Sequence, residues 1–319
     1  MMSGADPLTT LVAGAVEQLR LALVDVPGLI PLASAPFFFR PLVMVVLLGI
    51  VSGVVGVLVN LRGAEFSAEA LVHAVFPGIV AGAAFWGIDA IIPAASIVAM
   101  IAAAGLTLLS HHSGRAVGAR RSAGGGGAEA GTAVLLTGFF SVGIILSLAT
   151  GDMSGQLEAL MFGRLLEITD AGLARALVAC LVAVILVAAT WRGQVAYAFD
   201  PVGARAAGHR LLALDLALNA AIAAVVVSAS TAVGTLLVIG ALIVPGATGR
   251  VLAHRVRPMV IIAVATGVLG GYLGMLAAVM PSPRPVSPQA AVSLATTALL
   301  LGAIIAASAR RRLRGREGA

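Results

Sequence analysis

Glu65, Glu69 and His73 stand at positions i, i+4 and i+8 of the stretch Glu65-Phe66-Ser67-Ala68-Glu69-Ala70-Leu71-Val72-His73-Ala74-Val75-Phe76-Pro77-Gly78. The apolar run continues to about Trp86, which predicts that the stretch opens a membrane helix. Side chains four apart on a helix share one face and lie roughly 6 Å apart along the axis. Ionisable groups inside a hydrophobic span are costly, so they face a partner or a polar pathway rather than lipid. A carboxylate and an imidazole on one face are hard and borderline ligands, suited to a first-row divalent ion. A second reading keeps Glu65 and Glu69 as negative charge at the positive end of the helix dipole, with His73 as a neutral packing residue. Glu65, close to Arg62 at the expected helix boundary, suits that second reading better than Glu69 and His73 do. The order Glu-x-x-x-His is not the His-Glu-x-x-His of zinc hydrolases, which argues against an intramembrane protease.

The elements that must carry these residues follow from composition. Hydrophobic residues make up 60% of the 319 and charged ones 11%, with a mean hydropathy of +1.07. Soluble domains carry about a quarter charged residues, so the chain reads as an all-α, polytopic membrane protein. The single cysteine, Cys180, lies in an apolar run and offers neither a disulfide nor a cysteine cluster. All 20 basic residues are arginine, and basic loops of a membrane protein require no nucleic acid to explain them.

Residues 1–35 read as an N-terminal segment without a cleaved signal, because Glu17, Arg20 and Asp25 interrupt the apolar pattern. Leu8 to Leu23 predicts an amphipathic helix on the membrane surface or against the bundle. Residues 36–309 form the transmembrane domain. Apolar runs predict about nine spans, within a range of about eight to ten. They fall near Pro41–Leu61, Phe66–Trp86, Ile91–Leu109, Thr132–Leu148, Leu173–Ala189, Leu214–Ser230, Val233–Leu252, Val260–Val279 and Ala290–Ala307. Residues 310–319 form a basic tail, Arg310-Arg311-Arg312-Leu313-Arg314-Gly315-Arg316, which is expected to be cytoplasmic. Working back from it, the His254–Arg257, Gln194–Leu212 and Ser110–Gly131 loops also fall inside. Nine spans then put the N-terminus outside.

The Ser110–Gly131 segment holds His111, His112, Arg115, Arg120, Arg121 and the run Gly124–Gly127. No Gly-Lys-Ser/Thr follows the glycines, so it is read as a flexible basic loop rather than a phosphate cradle or metal relay. Between two later spans, Thr150–Ala171 carries Asp152, Glu158, Arg164, Glu167 and Asp170 and is expected to hold a short outer helix.

Two further stretches, with the first, carry a family resemblance. Phe199-Asp200-Pro201-Val202-Gly203-Ala204-Arg205-Ala206-Ala207-Gly208 interrupts the apolar pattern on the cytoplasmic side. It resembles the ATPase-coupling segment of permeases in the zinc and manganese ABC importer family, where the pattern is close to Phe-Asp-Pro-Glu-Phe-Ala. Val233–Thr248, with Gly240, Pro245 and Gly246, looks like that family's signature helix. The family places an Asp at the position of Glu69 and a His at that of His73, followed by Ala and Pro-Gly. Met161-Phe162-Gly163-Arg164-Leu165-Leu166 is similar to a weaker family element, and the resemblance runs from about Phe38 to Ala307. This chain departs from the pattern with Glu at 69, Val202-Gly203 in the coupling segment, and a longer proline-rich stretch from Met280 to Gln289.

The resemblance implies a fold shared with vitamin B12 and siderophore importer permeases, and a place in the bacterial plasma membrane. It implies a homodimer with two separate cytoplasmic ATPase subunits and an extracytoplasmic metal-binding protein. It makes Glu69 and His73, with Glu65 as a possible extra ligand, the contacts for a transported manganese or zinc ion. Phe199, Asp200, Pro201, Arg205 and Gly208 become the ATPase-coupling residues. The chain would be no enzyme and hold no permanent cofactor, since ATP is hydrolysed on a partner. Two alternatives stay open. One is a gradient-driven secondary metal transporter or channel, in which broken helices such as that expected at Gly240 and Pro245 also occur. The other is a same-fold importer of iron chelates or cobalamin. A docking segment with no other use separates the family reading from the first, and a carboxylate–imidazole pair separates it from the second.

Overall fold

The computed structural model describes residues 7–87, 90–117, 126–150, 163–280 and 286–317, and those residues are helical with short connections. In order they form α1 (Pro7–Leu23), α2 (Ile30–Ala33), α3 (Pro36–Arg62), α4 (Glu65–Ala74), α5 (Phe76–Ala81), α6 (Ile91–Val117) and α7 (Gly126–Ala149). These are followed by α8 (Asp170–Phe199), α9 (Pro201–Ala206), α10 (Leu211–Val233), α11 (Thr235–Leu252), α12 (Val256–Val279) and α13 (Pro288–Glu317). Among the described residues eight helical segments are long and apolar enough to cross a membrane, the α4–α5 segment counting as one. The shorter α11 supplies the ninth apolar element at the place the sequence predicts, but it runs unbroken through Gly240 and Pro245, where a broken helix is expected from the sequence.

Several ends differ from the apolar runs. α8 continues through Gln194 to Phe199, where the hydropathy pattern predicts a loop, because its polar residues find partners inside the bundle. The tail from Arg310 continues α13 as helix to Glu317, in keeping with the good helix propensity of arginine. Of the loops considered above, residues 118–125, 151–162 and 281–285 lie outside the described residues, Met161 and Phe162 among them.

α3 is the hub of the bundle, packing on α8, α11 and α12, and is the most buried of the spans. Lipid tails are as apolar as leucine, so helices in a membrane associate through close backbone packing rather than hydrophobic exclusion. Glycine provides that closeness here. A Cβ placed on Gly49 would sit 2.6 Å from the Gly267 carbonyl carbon, and one on Gly267 would sit 2.5 Å from the Gly49 carbonyl oxygen. α1 buries none of its residues and rests on α8 and α3 through Val12 and Val16, with Leu8, Leu11 and Leu21 exposed. Arg20 joins it to α2 by donating to the Ala33 carbonyl at 3.1 Å.

Gly267→Leu is expected to destabilise the α3–α12 contact by about 1–3 kcal/mol or more through overpacking. Gly138→Ala, where a Cβ meets open space, should leave stability unchanged or slightly raised. Thermal unfolding of the two variants in detergent separates them.

Candidate metal gate and coupling helix

α4 begins immediately after α3, across Gly63 and Ala64 only. Gly63 takes a left-handed conformation (φ +62°) that ends α3, and its N–H returns to the Val59 carbonyl. Ala64 is the N-cap of α4 and no side chain caps that end, so the carboxylates of Glu65 and Glu69 make no capping hydrogen bond. Glu65 lies in the first turn, where its charge complements the dipole, whereas Glu69 and His73 lie beyond it. Nor does Glu65 pair with its sequence neighbour Arg62, whose carboxylate partner is Asp215.

Phe66 is exposed and Ser67 half-buried in the first turn, and from there the helix packs deeply: Ala68, Ala70, Leu71, Val72 and Ala74 are at most 1% exposed. Glu65, Glu69 and His73 are each only half-buried and form one polar stripe along this helix. With a rise of about 1.5 Å per residue, Glu69 sits roughly 6 Å and His73 roughly 12 Å into the span from Glu65. The hydrocarbon core is about 30 Å thick, and His73 lies in the third turn of the Glu65–Trp86 segment, which is long and apolar enough to cross it. Its ring meets Phe140 of α7 edge-on, with centroids 5.5 Å apart.

The span breaks directly after this stripe. Val75 forms a turn between α4 and α5, and residues Gly82–Trp86 wind as a π-helix. Pro77 has no N–H to return to the His73 carbonyl four residues earlier, which accounts for the break. The sequence predicts one continuous helix here, and the proline is the signal that qualifies it. Gly78 and Gly82 then let α5 and the π-turn approach α6, where a Cβ on either would come within 2.8 Å of the Ala94 or Ala90 carbonyl oxygen. Among the described residues no three His, Cys, Asp or Glu side chains converge on a position that could hold a metal. One chain therefore presents two neighbouring candidate ligands, Glu69 and His73, and no closed site.

The predicted coupling segment forms a short helix. Asp200 is its N-cap, its Oδ1 accepting from the Val202 N–H at 3.1 Å and the Gly203 N–H at 2.9 Å, and Pro201 fills the first helical position. Ala204 seats α9 on Ala196, Tyr197, Leu211 and Leu214. Gly208 (φ +86°) then reverses the chain into α10. Phe199 and Val202 are 69% and 77% exposed, and Asp200, Pro201 and Arg205 are exposed as well. The structure brings Phe199, Asp200, Pro201, Arg205 and Gly208, the residues expected from the resemblance to contact the ATPase, to this one projection at and around α9.

Sequence reasoning did not find the cluster between the two. The Arg62 guanidinium pairs with Asp215, donates to Gln194 Oε1 at 2.7 Å, and lies 3.9 Å over the Tyr197 ring. At the opposite end of α8, Arg40 and Asp170 form a second ion pair at 2.8 Å. A charged or amide residue inside an apolar run, as at Asp215 and Gln194, was the available signal. Of the weaker family element, Gly163 accepts from Gln289 at 2.9 Å and Leu165 is fully buried.

The family model described as the ABC 3 transport family matches residues 34–307. The chain belongs to that family. MntC of Listeria monocytogenes, a manganese transport system membrane protein, is 30% identical over 243 residues, 75% of this chain and 80% of its own. YfeC of Yersinia pestis, a chelated iron transport system membrane protein, is 27% identical over 250 residues, 77% and 80% of the two chains. PsaBC from Streptococcus pneumoniae, solved with a Fab, superposes with a TM-score of 0.70 at 22% identity, covering 90% of this chain and 94% of that one. The ABC 3 permease is thus an all-helical, multi-pass plasma-membrane protein and a transport subunit rather than an enzyme. As an ABC permease it works with ATP-binding and substrate-binding partners.

If Glu69 binds the cargo as a carboxylate, Glu69→Gln should lower uptake at limiting metal by about tenfold or more, while Glu69→Asp is tolerated. A residue that only complements the helix dipole would be worth about 1 kcal/mol at most. Equal uptake by wild type and Glu69→Gln would remove Glu69 from the gate.

Proposed function

We propose that this chain is the membrane-spanning subunit of an ATP-driven importer of divalent transition-metal ions, manganese or zinc. It works as a homodimer with separate ATPase subunits and an extracytoplasmic metal-binding protein. The observation that carries this reading is the Glu69–His73 pair, half-buried one turn apart within a span of an ABC 3 permease. The name of the manganese-transport relative MntC supports the cargo class.

Two ligands from one chain are too few for a closed site. Zinc takes about four ligands, and octahedral ions such as manganese take about six, waters included. Twofold pairing of identical chains doubles the set, and isologous dimers are the commonest assembly. Glu69 and His73 of both chains then supply four ligands on the axis, with Glu65 nearer the inner mouth. Two carboxylates and two imidazoles suit either ion.

The mechanism is alternating access. The binding protein docks outside and releases the ion to the paired α4 helices. ATP hydrolysis on the partners moves the α9 projections and opens the inner side. The ion changes its ligands, and no covalent bond is made or broken on this chain. The chelated-iron name of YfeC favours a second cargo, iron. A carboxylate–imidazole pair takes that as the bare ion rather than as a bulky chelate.

A heterodimer carrying His73→Ala in one tagged chain tests the shared site. Loss of one ligand from a single axial site should reduce uptake severely, by about tenfold or more. Retention of about half the wild-type uptake would mean that each chain conducts alone, in favour of a channel-like transporter.

A further inference from the structure

Four polar groups meet where α3 turns into α4, and neither the gate nor the coupling helix accounts for them. Arg62 is the last residue of α3, with its side chain 9% exposed, and Asp215, 15% exposed, lies in the second turn of α10. Besides its ion pair with Asp215, the guanidinium donates to Gln194 at 2.7 Å and covers the Tyr197 ring at 3.9 Å. Tyr197 donates its hydroxyl to the other Asp215 oxygen at 3.4 Å, and Gln194 donates to the Leu214 carbonyl at 2.7 Å. One guanidinium thereby grips α8 and α10, the two legs on either side of α9.

Both ends of this clamp are short. On one side, Ala204 of α9 is seated on Tyr197 and Leu214, the residues that stack on Arg62 and receive Gln194. On the other side, only Gly63 and Ala64 separate Arg62 from α4, so Glu69 follows within two turns. Arg250 of α11 donates to the Asn60 carbonyl and closes the turn from behind. Beside the clamp lies a polar cavity of about 960 Å³ lined by Arg62, Tyr197, Pro201, Arg205 and Asp215. Gly63, Ala64 and Ser67 line it too, so the one cavity borders both the α9 side of the clamp and the start of α4.

Stability alone does not explain this arrangement, since apolar residues of similar volume commonly hold a buried site as well as an ion pair does. A salt-bridged, stacked junction is a contact that can exchange partners, and motion passes between rigid elements through contacts that have two discrete arrangements. We infer that Arg62, with Asp215, Gln194 and Tyr197, is the positioning device that carries motion of α9 to the gate helix α4. The inference rests on the reading of α9 as the ATPase contact. A displacement of α9 shifts Tyr197 and Leu214, these move the guanidinium, and the two-residue link passes the motion to α4.

The test is made on the complete importer in proteoliposomes, with ATPase subunits and manganese-loaded binding protein, by recording manganese uptake and ATP hydrolysis together. Asp215→Asn and Arg62→Lys each loosen the clamp while keeping its shape. In each, uptake per ATP hydrolysed should fall at least about fivefold while hydrolysis falls less than about twofold. Tyr197→Leu, which leaves both charges in place, should also lower the ratio, and it serves where a charge variant fails to assemble. The exchange Arg62→Asp with Asp215→Arg should recover part of the ratio relative to either single change. Uptake and hydrolysis falling by the same factor in the assembled variants, or neither falling, would overturn the inference. A wild-type complex that hydrolyses ATP without moving manganese would instead count against the proposed cargo.

Discussion

A carboxylate and an imidazole one helical turn apart inside a hydrocarbon layer persist only where something other than lipid faces them. In this chain Glu69 and His73 occupy the single incompletely packed stripe of a helix whose other residues beyond its first turn are almost wholly buried. The surrounding structure is arranged to hold that stripe in place. α3 anchors the turn into α4, α6 and α7 back the span, and the break at Val75 ends the regular helix directly beyond His73. One chain leaves the stripe partly uncovered, and in the proposed twofold dimer the partner's identical stripe would cover it with the groups that a divalent ion requires.

Close backbone packing, rather than hydrophobic exclusion, holds such a bundle together. Gly49 against Gly267, and Gly78 and Gly82 against α6, bring helices together at distances that a single methyl group would forbid. At the α9 end of the bundle the contacts change character, from apolar packing to Arg62, Asp215, Gln194 and Tyr197 beside a cavity. The exposed projection of Phe199, Asp200 and Val202 lies just beyond the junction.

Most of the scaffold was legible in the sequence, because apolar runs of about 20 residues admit few readings. Asp200 followed by Pro201 also fits a helix start, whereas the apolar run to Trp86 hid the break that Pro77 makes in the gate span. What could not be read locally are the partners of polar residues. Arg62 adjoins Glu65 in sequence yet pairs with Asp215, 153 residues away. Gln194 resembles the start of a loop but is buried in a helix, satisfied by Leu214 and Arg62. Such pairings depend on how α8 and α10 fold back on α3, which no local pattern of hydropathy encodes.

The central claim is that two chains share one ion through Glu69 and His73. Elemental analysis of the purified permease after equilibration with manganese, referred to protein concentration, tests it most directly. The shared site predicts one tightly held ion per two chains, and none when Glu69 and His73 are both replaced by alanine. One ion per chain, or the same metal content after both replacements, would contradict it.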